Sequence, residues 1–220
     1  MSQESAESRR ILAGELALGL VHEMNQPIQL LAGHLERLRE GAPPEWARSL
    51  VSMERAVQRI SLLVLQLRGY SHPRSGPPTR VRLADLVEGA QDLCGLRLGS
   101  GAGFCVDIEE GLEVEGDAVG LEQVVVNLLL NATQSGTPEL GLRAFRREGE
   151  VWVEVWDRGP GVAAELREQI FDAFYTTKQR GEGSGLGLWI SRRILLDHGG
   201  NLEVEDNPGG GALFRMRLPG

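Results

Sequence analysis

Apolar residues recur along the first seventy residues with the period of a helix. An α-helix turns by about 100° per residue. On that wheel Leu16, Leu20, Met24, Leu31, Leu35 and Leu38 fall within one stripe. The pattern predicts a helix over residues 9–40, bent near Pro27, because proline removes an N–H and crowds the preceding turn. Gly41-Ala42-Pro43-Pro44 ends it. Proline is favoured in a first helical turn, so a second helix begins there. In that helix Leu50, Met53, Val57, Ile60, Val64 and Leu67 are spaced 3, 4, 3, 4 and 3 apart, the seam of a heptad repeat. His34, at the edge of the first stripe, reads as a seam residue. Two helices joined by a short loop form an antiparallel hairpin. One hairpin buries too little apolar surface to stand alone, which predicts a homodimer closed as a four-helix bundle.

Ser71 to Pro78 is a linker by composition. The chain thereby divides into a hairpin over 1–72, a linker over 73–78 and a second domain over 79–220. In that domain strands and helices alternate. Strands are predicted at Arg80–Leu83, Phe104–Ile108, Leu112–Glu115, Leu140–Arg146, Val151–Asp157, Leu202–Glu205 and Ala212–Leu218. Helices are predicted at Ala84–Leu98, Ala118–Ser135 with Asp117 as N-cap, and Leu186–His198, with a short helix near Ala163–Gln169. That order predicts one mixed sheet on about three helices. The fold class is α+β, a helical hairpin followed by an α/β sandwich.

Composition narrows the partners. The 220 residues carry 23 basic and 31 acidic side chains, a formal charge of −8. This argues against a nucleic-acid binder or an anionic-membrane binder. No run approaches the roughly 20 apolar residues of a membrane span, and residues 1–12 lack the apolar core of a signal peptide. Cys94 and Cys105 show no metal-ligand spacing and read as buried free thiols in a reducing, cytoplasmic setting.

Four stretches carry chemistry. His22 projects away from the apolar stripe by roughly 120 to 180°, with Gln26 and Gln29 on its own face and Glu23 beside it. This is an imidazole held in water on a rigid rod. Asn127 and Asn131 stand at i and i+4 in a strongly apolar helix. Amides there need partners. As oxygen donors on one face they suit a hydrated Mg²⁺ that also takes phosphate oxygens, and a helix-packing amide pair is the other reading. Asp157-Arg158-Gly159-Pro160-Gly161 ends a strand. Its carboxylate suits an exocyclic amine such as adenine's, its glycines suit the close approach of a flat ligand, and a tight turn is the alternative. Gly183-Ser184-Gly185-Leu186-Gly187 opens a helix, an anion site without the P-loop lysine. Lys178 and Arg180, in the polar stretch after Thr177, are available to phosphates.

The order H-E-x-N-Q-P, N-x-x-x-N, D-x-G-x-G, F-x-x-F-x-T-T-K and G-x-G-L-G-L resembles the bacterial sensor histidine kinases over residues 9–220. The resemblance implies a dimerisation and histidine-phosphotransfer hairpin followed by a Bergerat-type ATP-binding domain. His22 would be the phosphoacceptor and Glu23 its base, with Gln26 where many members carry a water-positioning Thr or Asn. Asn131 with Asn127 would hold Mg²⁺ and phosphates. Asp157 would bind the adenine amine, with Gly159 and Gly161 beneath the base. Thr177, Lys178, Gly183, Ser184, Gly185, Leu186 and Gly187 would form the lid and the phosphate end. Gln134 stands where many members have a basic residue. The implied partners are ATP, Mg²⁺, a second copy of the chain and a response-regulator receiver domain. The sequence shows no sensor or membrane segment, so the expectation is either a catalytic fragment or input from a separate sensor protein. A catalytically silent nucleotide-binding dimer is the alternative. Chaperone and mismatch-repair ATPases of the same fold lack the hairpin.

Overall fold

The computed structural model describes residues 24, 27–28, 30–31, 33–35, 37–39, 41–53, 56–57, 60, 64, 78–94, 103–137, 139–177 and 185–220. The chain divides into two compact units, Met1–Pro73 and Arg74–Gly220. In the first, every described residue in 24–41 and in 47–64 is helical, and a 3-10 turn at Pro44–Trp46 opens the second run. The heptad seam splits into two sets. Ile28, Leu35, Leu50 and Val64 are buried, and Val57 is partly so. Met24, Leu31, Leu38, Met53 and Ile60 are 39% to 53% exposed. Each set keeps a seven-residue spacing along its helix, so one heptad position closes the hairpin and the other faces outward. His34, expected at the seam, is exposed in this chain, with Nδ1 3.5 Å from Arg37 Nη2. No described helix is long and apolar enough to cross a membrane.

The second unit contains β1 (Thr79–Arg82), α1 (Leu83–Cys94), β2 (Phe104–Ile108), β3 (Glu113–Gly116), α2 (Ala118–Thr133), β4 (Leu140–Arg147) and β5 (Glu150–Asp157). Two 3-10 turns follow, at Ala164–Leu166 and Gln169–Phe171, then α3 (Gly187–Asp197), β6 (Asn201–Asp206) and β7 (Ala212–Pro219). The main sheet has the order β2-β4-β5-β7-β6 and is parallel only between β2 and β4. The single sheet expected from the sequence is instead two, because β1 and β3 pair with each other. Charge is consistent with the pairing, and Arg80 lies 3.6 Å from Glu113 across it. The register sets Arg80 opposite Glu115 and Arg82 opposite Glu113, and opposite charges across a ladder are favourable.

The core lies between the main sheet and α2. Val151, Val153 and Val155 of β5, Leu142 of β4, and Phe214, Met216 and Leu218 of β7 are buried. Ten of the sixteen α2 residues are buried as well, which makes α2 the central helix. On the opposite face of the sheet Glu154 lies between Arg143 (2.8 Å) and Arg215 (3.0 Å), and Arg215 also pairs with Glu205 at 2.8 Å. Burial by itself would lower the Arg215 pKa, but the hydrogen bond that Arg215 donates to Glu154 and the charge of Glu205 raise it above its ordinary value.

The cysteine expectation is corrected in part. Cys94 is half-buried, but Cys105 is exposed. Alternation in β2 turns Phe104 inward and so turns Cys105 outward. Burial pushes the Cys94 thiol up to about 12, so in mildly alkaline buffer it holds only about a ten-thousandth of its population as reactive thiolate. A thiol reagent is therefore expected to modify one cysteine rapidly in the folded protein and the other only after unfolding. The Cys105→Ser variant should lose the fast phase. A fast phase that survives in that variant would show that Cys94 is unshielded.

Candidate functional site

The period of β5 delivers the first group. Val151, Val153 and Val155 face the core, and the same parity carries Asp157 to the buried side at the strand end, where it is 5% exposed. Its Oδ1 accepts from the Gly159 N–H at 2.7 Å and, more weakly, from the Ala212 N–H at 3.4 Å. Its main-chain carbonyl accepts from Asn207 Nδ2 at 2.8 Å. Both side-chain bonds fall on Oδ1, so Oδ2 is the oxygen left for an incoming donor. Oδ2 is not among the buried atoms left without a partner, so it keeps access from outside while Oδ1 is tied to the backbone.

Gly159 is glycine for want of room. A Cβ there would lie 2.6 Å from Ser135 Cβ, just past the end of α2. The strand end is thus seated against the C-terminal end of the helix that carries the two asparagines. Gly161 has φ +74°, and a Cβ there would stand 3.2 Å from the Gly211 carbonyl oxygen. A depression of about 510 Å³ lined by Thr137, Glu139, Arg158 and Gly209 abuts this turn. Its cation is already used, since Arg158 lies 3.6 Å from Glu139, donates to the Pro208 carbonyl at 2.9 Å and stacks over Trp156.

Asn127 and Asn131 occupy one side of α2 as the sequence predicts, but they differ. Asn131 is half-buried, whereas Asn127 is 4% exposed. Asn127 Nδ2 donates to the Gly187 carbonyl and to Ser191 Oγ, each at 3.1 Å. Ser191, fully buried, donates its own hydroxyl to the Gly187 carbonyl at 2.8 Å. The first turn of α3 is thereby fastened to the middle of α2. Leu186 takes the N-cap position of α3 with no side-chain cap bond, and a helix N-terminus suits an anion. From Asn127 to Ser135 is eight residues, roughly 12 Å along the helix axis. The site therefore runs along α2, from Asp157 and Gly159 at one end to Gly187 at the other.

A second clip joins the same helices at their far ends. Asp117, the N-cap of α2, takes Val119 N–H on Oδ1 at 3.2 Å, and its own N–H donates to His198 Nε2 at 2.9 Å. An N–H partner requires Nε2 to accept, so the ring proton sits on Nδ1, which donates to the Ile194 carbonyl at 2.7 Å.

Gly185 meets the end of the F-x-x-F stretch. Its carbonyl accepts from the Phe174 N–H at 2.9 Å. Its φ of +67°, with a Cβ position only 2.5 Å from the Phe174 carbonyl carbon, admits no side chain. Phe174 itself has φ +69° and a side chain 68% exposed, and Thr177 is exposed. Lys178, Gly183 and Ser184 lie outside the described residues, as do His22, Glu23 and Gln26. The sequence reading missed Ser191 and Asn207. The first signal was a hydroxyl four residues after Gly187 on an inward helical position. The second was an asparagine opening a turn whose three glycines, Gly209, Gly210 and Gly211, all have positive φ.

Comparison with known proteins agrees with this geometry. Residues 12–76 match the His Kinase A (phospho-acceptor) domain, and residues 116–220 match the histidine kinase-, DNA gyrase B- and HSP90-like ATPase family. The C4-dicarboxylate transport sensor protein DctB of Rhizobium meliloti is 34% identical over 96% of this chain and 35% of its own length. The chain spans less than half the length of the curated relatives it matches. The catalytic domain of histidine kinase ThkA is 32% identical with a TM-score of 0.59, over 66% of this chain and 96% of that one. The same kinase in complex with the response regulator TrrA is 27% identical with a TM-score of 0.61, over 97% of this chain and 63% of that one. A buried strand-end carboxylate, an asparagine-bearing central helix and a glycine-started helix on an ATPase sandwich, preceded by a phospho-acceptor hairpin, place this chain in the two-component sensor histidine kinase family, as a catalytic core.

Proposed function

We propose that this chain is an ATP-dependent protein-histidine kinase that phosphorylates itself on His22 and passes the phosphoryl group to an aspartate of a response-regulator receiver domain. In this reading residues 1–72 form the dimerisation and phosphotransfer hairpin, 73–78 the linker and 79–220 the ATP-binding domain. The observation that carries the proposal is the line of groups along α2: Asp157 with an unused Oδ2, the side-chain-free floor at Gly159, and Asn127 against the start of α3. That sequence of groups fits adenine at one end and phosphates at the other.

The chemistry asks for positioning and charge neutralisation. A neutral imidazole is a competent nucleophile near neutral pH. A ring nitrogen of His22 forms the new N–P bond to the γ-phosphorus, the bond to the β-phosphate oxygen breaks, and ADP leaves. Glu23 takes the imidazole proton. The receiver aspartate then attacks phosphorus and the N–P bond breaks. Asp157 and the glycines hold the base, while Gly185 and Gly187 with Lys178 shape the phosphate end. Among the described residues no three His, Cys, Asp or Glu side chains gather as a metal cage. The donors on offer are the amide oxygens of Asn131 and Asn127, which fit a Mg²⁺ delivered with the nucleotide. When bound, that ion neutralises phosphate charge.

The outward heptad set, Met24, Leu31, Leu38, Met53 and Ile60, supports a homodimer, because water otherwise meets a continuous apolar seam. Placing glutamate at Leu31 and Ile60 together is expected to give a monomer by light scattering. A dimer that persists would move the interface elsewhere.

The decisive test is incubation with γ-labelled ATP and Mg²⁺. An acid-labile label that vanishes in His22→Gln is expected. A purified protein that binds ATP but takes up no label at any Mg²⁺ level would make it a silent nucleotide-binding dimer. Asp157→Asn removes a charged acceptor whose hydrogen bonds are worth about 1.5–3 kcal/mol, so ATP affinity should fall by about tenfold or more. Unchanged affinity would remove Asp157 from the adenine site.

A further inference from the structure

The kinase reading leaves open why Ser191, a fully buried hydroxyl in the second turn of α3, stands beside Asn127. We infer that Ser191 is a positioning residue that, as the second acceptor beside the Gly187 carbonyl, locks the Asn127 side-chain amide in place, so that its oxygen is held toward the phosphate and Mg²⁺ end of the site. The inference rests on that reading and goes beyond it by naming the group that sets the amide.

An asparagine amide is nearly symmetric in shape, and its two orientations are separated only by hydrogen-bond chemistry. Here the chemistry leaves one choice. The Gly187 carbonyl can only accept, so the Asn127 atom 3.1 Å from it is the nitrogen. Ser191 has one hydroxyl proton, and it goes to that same carbonyl at 2.8 Å. Ser191 Oγ therefore meets Asn127 with a lone pair, and the second N–H of Nδ2 is taken at 3.1 Å. Both protons of the amide are used by α3, and Oδ1 is what remains. The Cβ position of Gly187 lies 3.5 Å from Oδ1, an ordinary contact distance that places this oxygen beside the first residue of α3. Asn127 is 4% exposed and Ser191 is fully buried, so water does not compete for these bonds.

Without the hydroxyl, one N–H of Nδ2 has no acceptor in a dry site, and the amide is held by the Gly187 carbonyl alone. It can then pivot about that single bond, and Oδ1 is no longer fixed in place. A metal depends on a fixed oxygen more than a nucleotide without metal does, so the loss should fall on nucleotide with metal and spare nucleotide without metal. Partners that orient a metal ligand from behind typically account for about 10- to 100-fold in metal affinity.

The experiment measures binding of a non-hydrolysable ATP analogue by calorimetry, with Mg²⁺ and with chelator, to the whole chain. The set is wild type, Ser191→Ala, Asn127→Ala and the double variant, each checked by thermal unfolding without nucleotide. Ser191→Ala should lower affinity about tenfold or more with Mg²⁺ and change it little with chelator. In the Asn127→Ala background the same substitution should cost nothing further, because its target is gone. Ser191→Thr, which keeps the hydroxyl, should restore affinity, and it carries the comparison if the alanine variant does not fold. An equal loss in both backgrounds, or an equal loss with and without metal, would overturn the inference and make Ser191 a packing residue. No loss in Ser191→Ala would overturn it too. A wild type that binds no nucleotide would instead overturn the kinase reading itself, an outcome read from the first titration alone.

Discussion

Asn127 sits in a helix whose other inward positions are almost all aliphatic, and burying its amide without hydrogen bonds would cost about 1–3 kcal/mol. The fold avoids that cost by bringing the first turn of α3 to it, with the Gly187 carbonyl and the Ser191 hydroxyl as acceptors. The placement of α3 follows from this contact. A hydrophobic face alone tolerates sliding and rotation, because dispersion and area burial carry little direction. Two hydrogen bonds to one amide do not tolerate it. The clip between His198 and Asp117 adds a second fixed point near the other end of each helix, and two points define a line. The start of α3 is therefore held in one place relative to Asn131 and to the end of β5.

This makes the two asparagines different residues, although the sequence presents them as a pair. Asn131 is half-buried and has its side of α2 open to the site. Asn127 spends its nitrogen on the scaffold and offers only an oxygen. The same division occurs at Asp157, where Oδ1 receives the backbone of the Gly159 turn and of β7 while Oδ2 is left for a ligand. In both cases half of a side chain is tied to the scaffold, and in the proposed kinase the other half would meet the ligand. A group held this way loses little freedom when the ligand arrives, which is the physical content of preorganisation.

Much of this was legible in the sequence, and the reasons are periodic. Alternation in Val151, Val153 and Val155 already put Asp157 on the buried side of its strand, and the i, i+4 spacing already put Asn127 and Asn131 on one helical face. The same alternation, applied to β2, would have exposed Cys105. What was not legible depends on contacts between distant segments. Ser191 reaches Asn127 across 64 residues, and Asn207 reaches Asp157 across 50. A lone serine in a helix and a lone asparagine in a glycine turn have ordinary local explanations, so nothing nearby marks them. The separate β1–β3 ribbon was hidden for a related reason, since strand order depends on which distant segments pair, and the sequence does not print their register.

The hairpin shows how one pattern can carry two instructions. A heptad seam read from sequence names both of its positions as apolar and does not say which partner each one meets. In this chain the positions at 28, 35, 50, 57 and 64 turn toward the other helix of the same hairpin, and those at 24, 31, 38, 53 and 60 turn out. Had both sets turned inward, the hairpin would be self-sufficient and the seam would say nothing about assembly. Had neither, it would have no fold of its own. The observed split gives a hairpin only partly satisfied alone, and in the proposed homodimer completing the core and pairing two chains would be the same event. In that assembly, any input that altered how two such hairpins pack would act on the core of each.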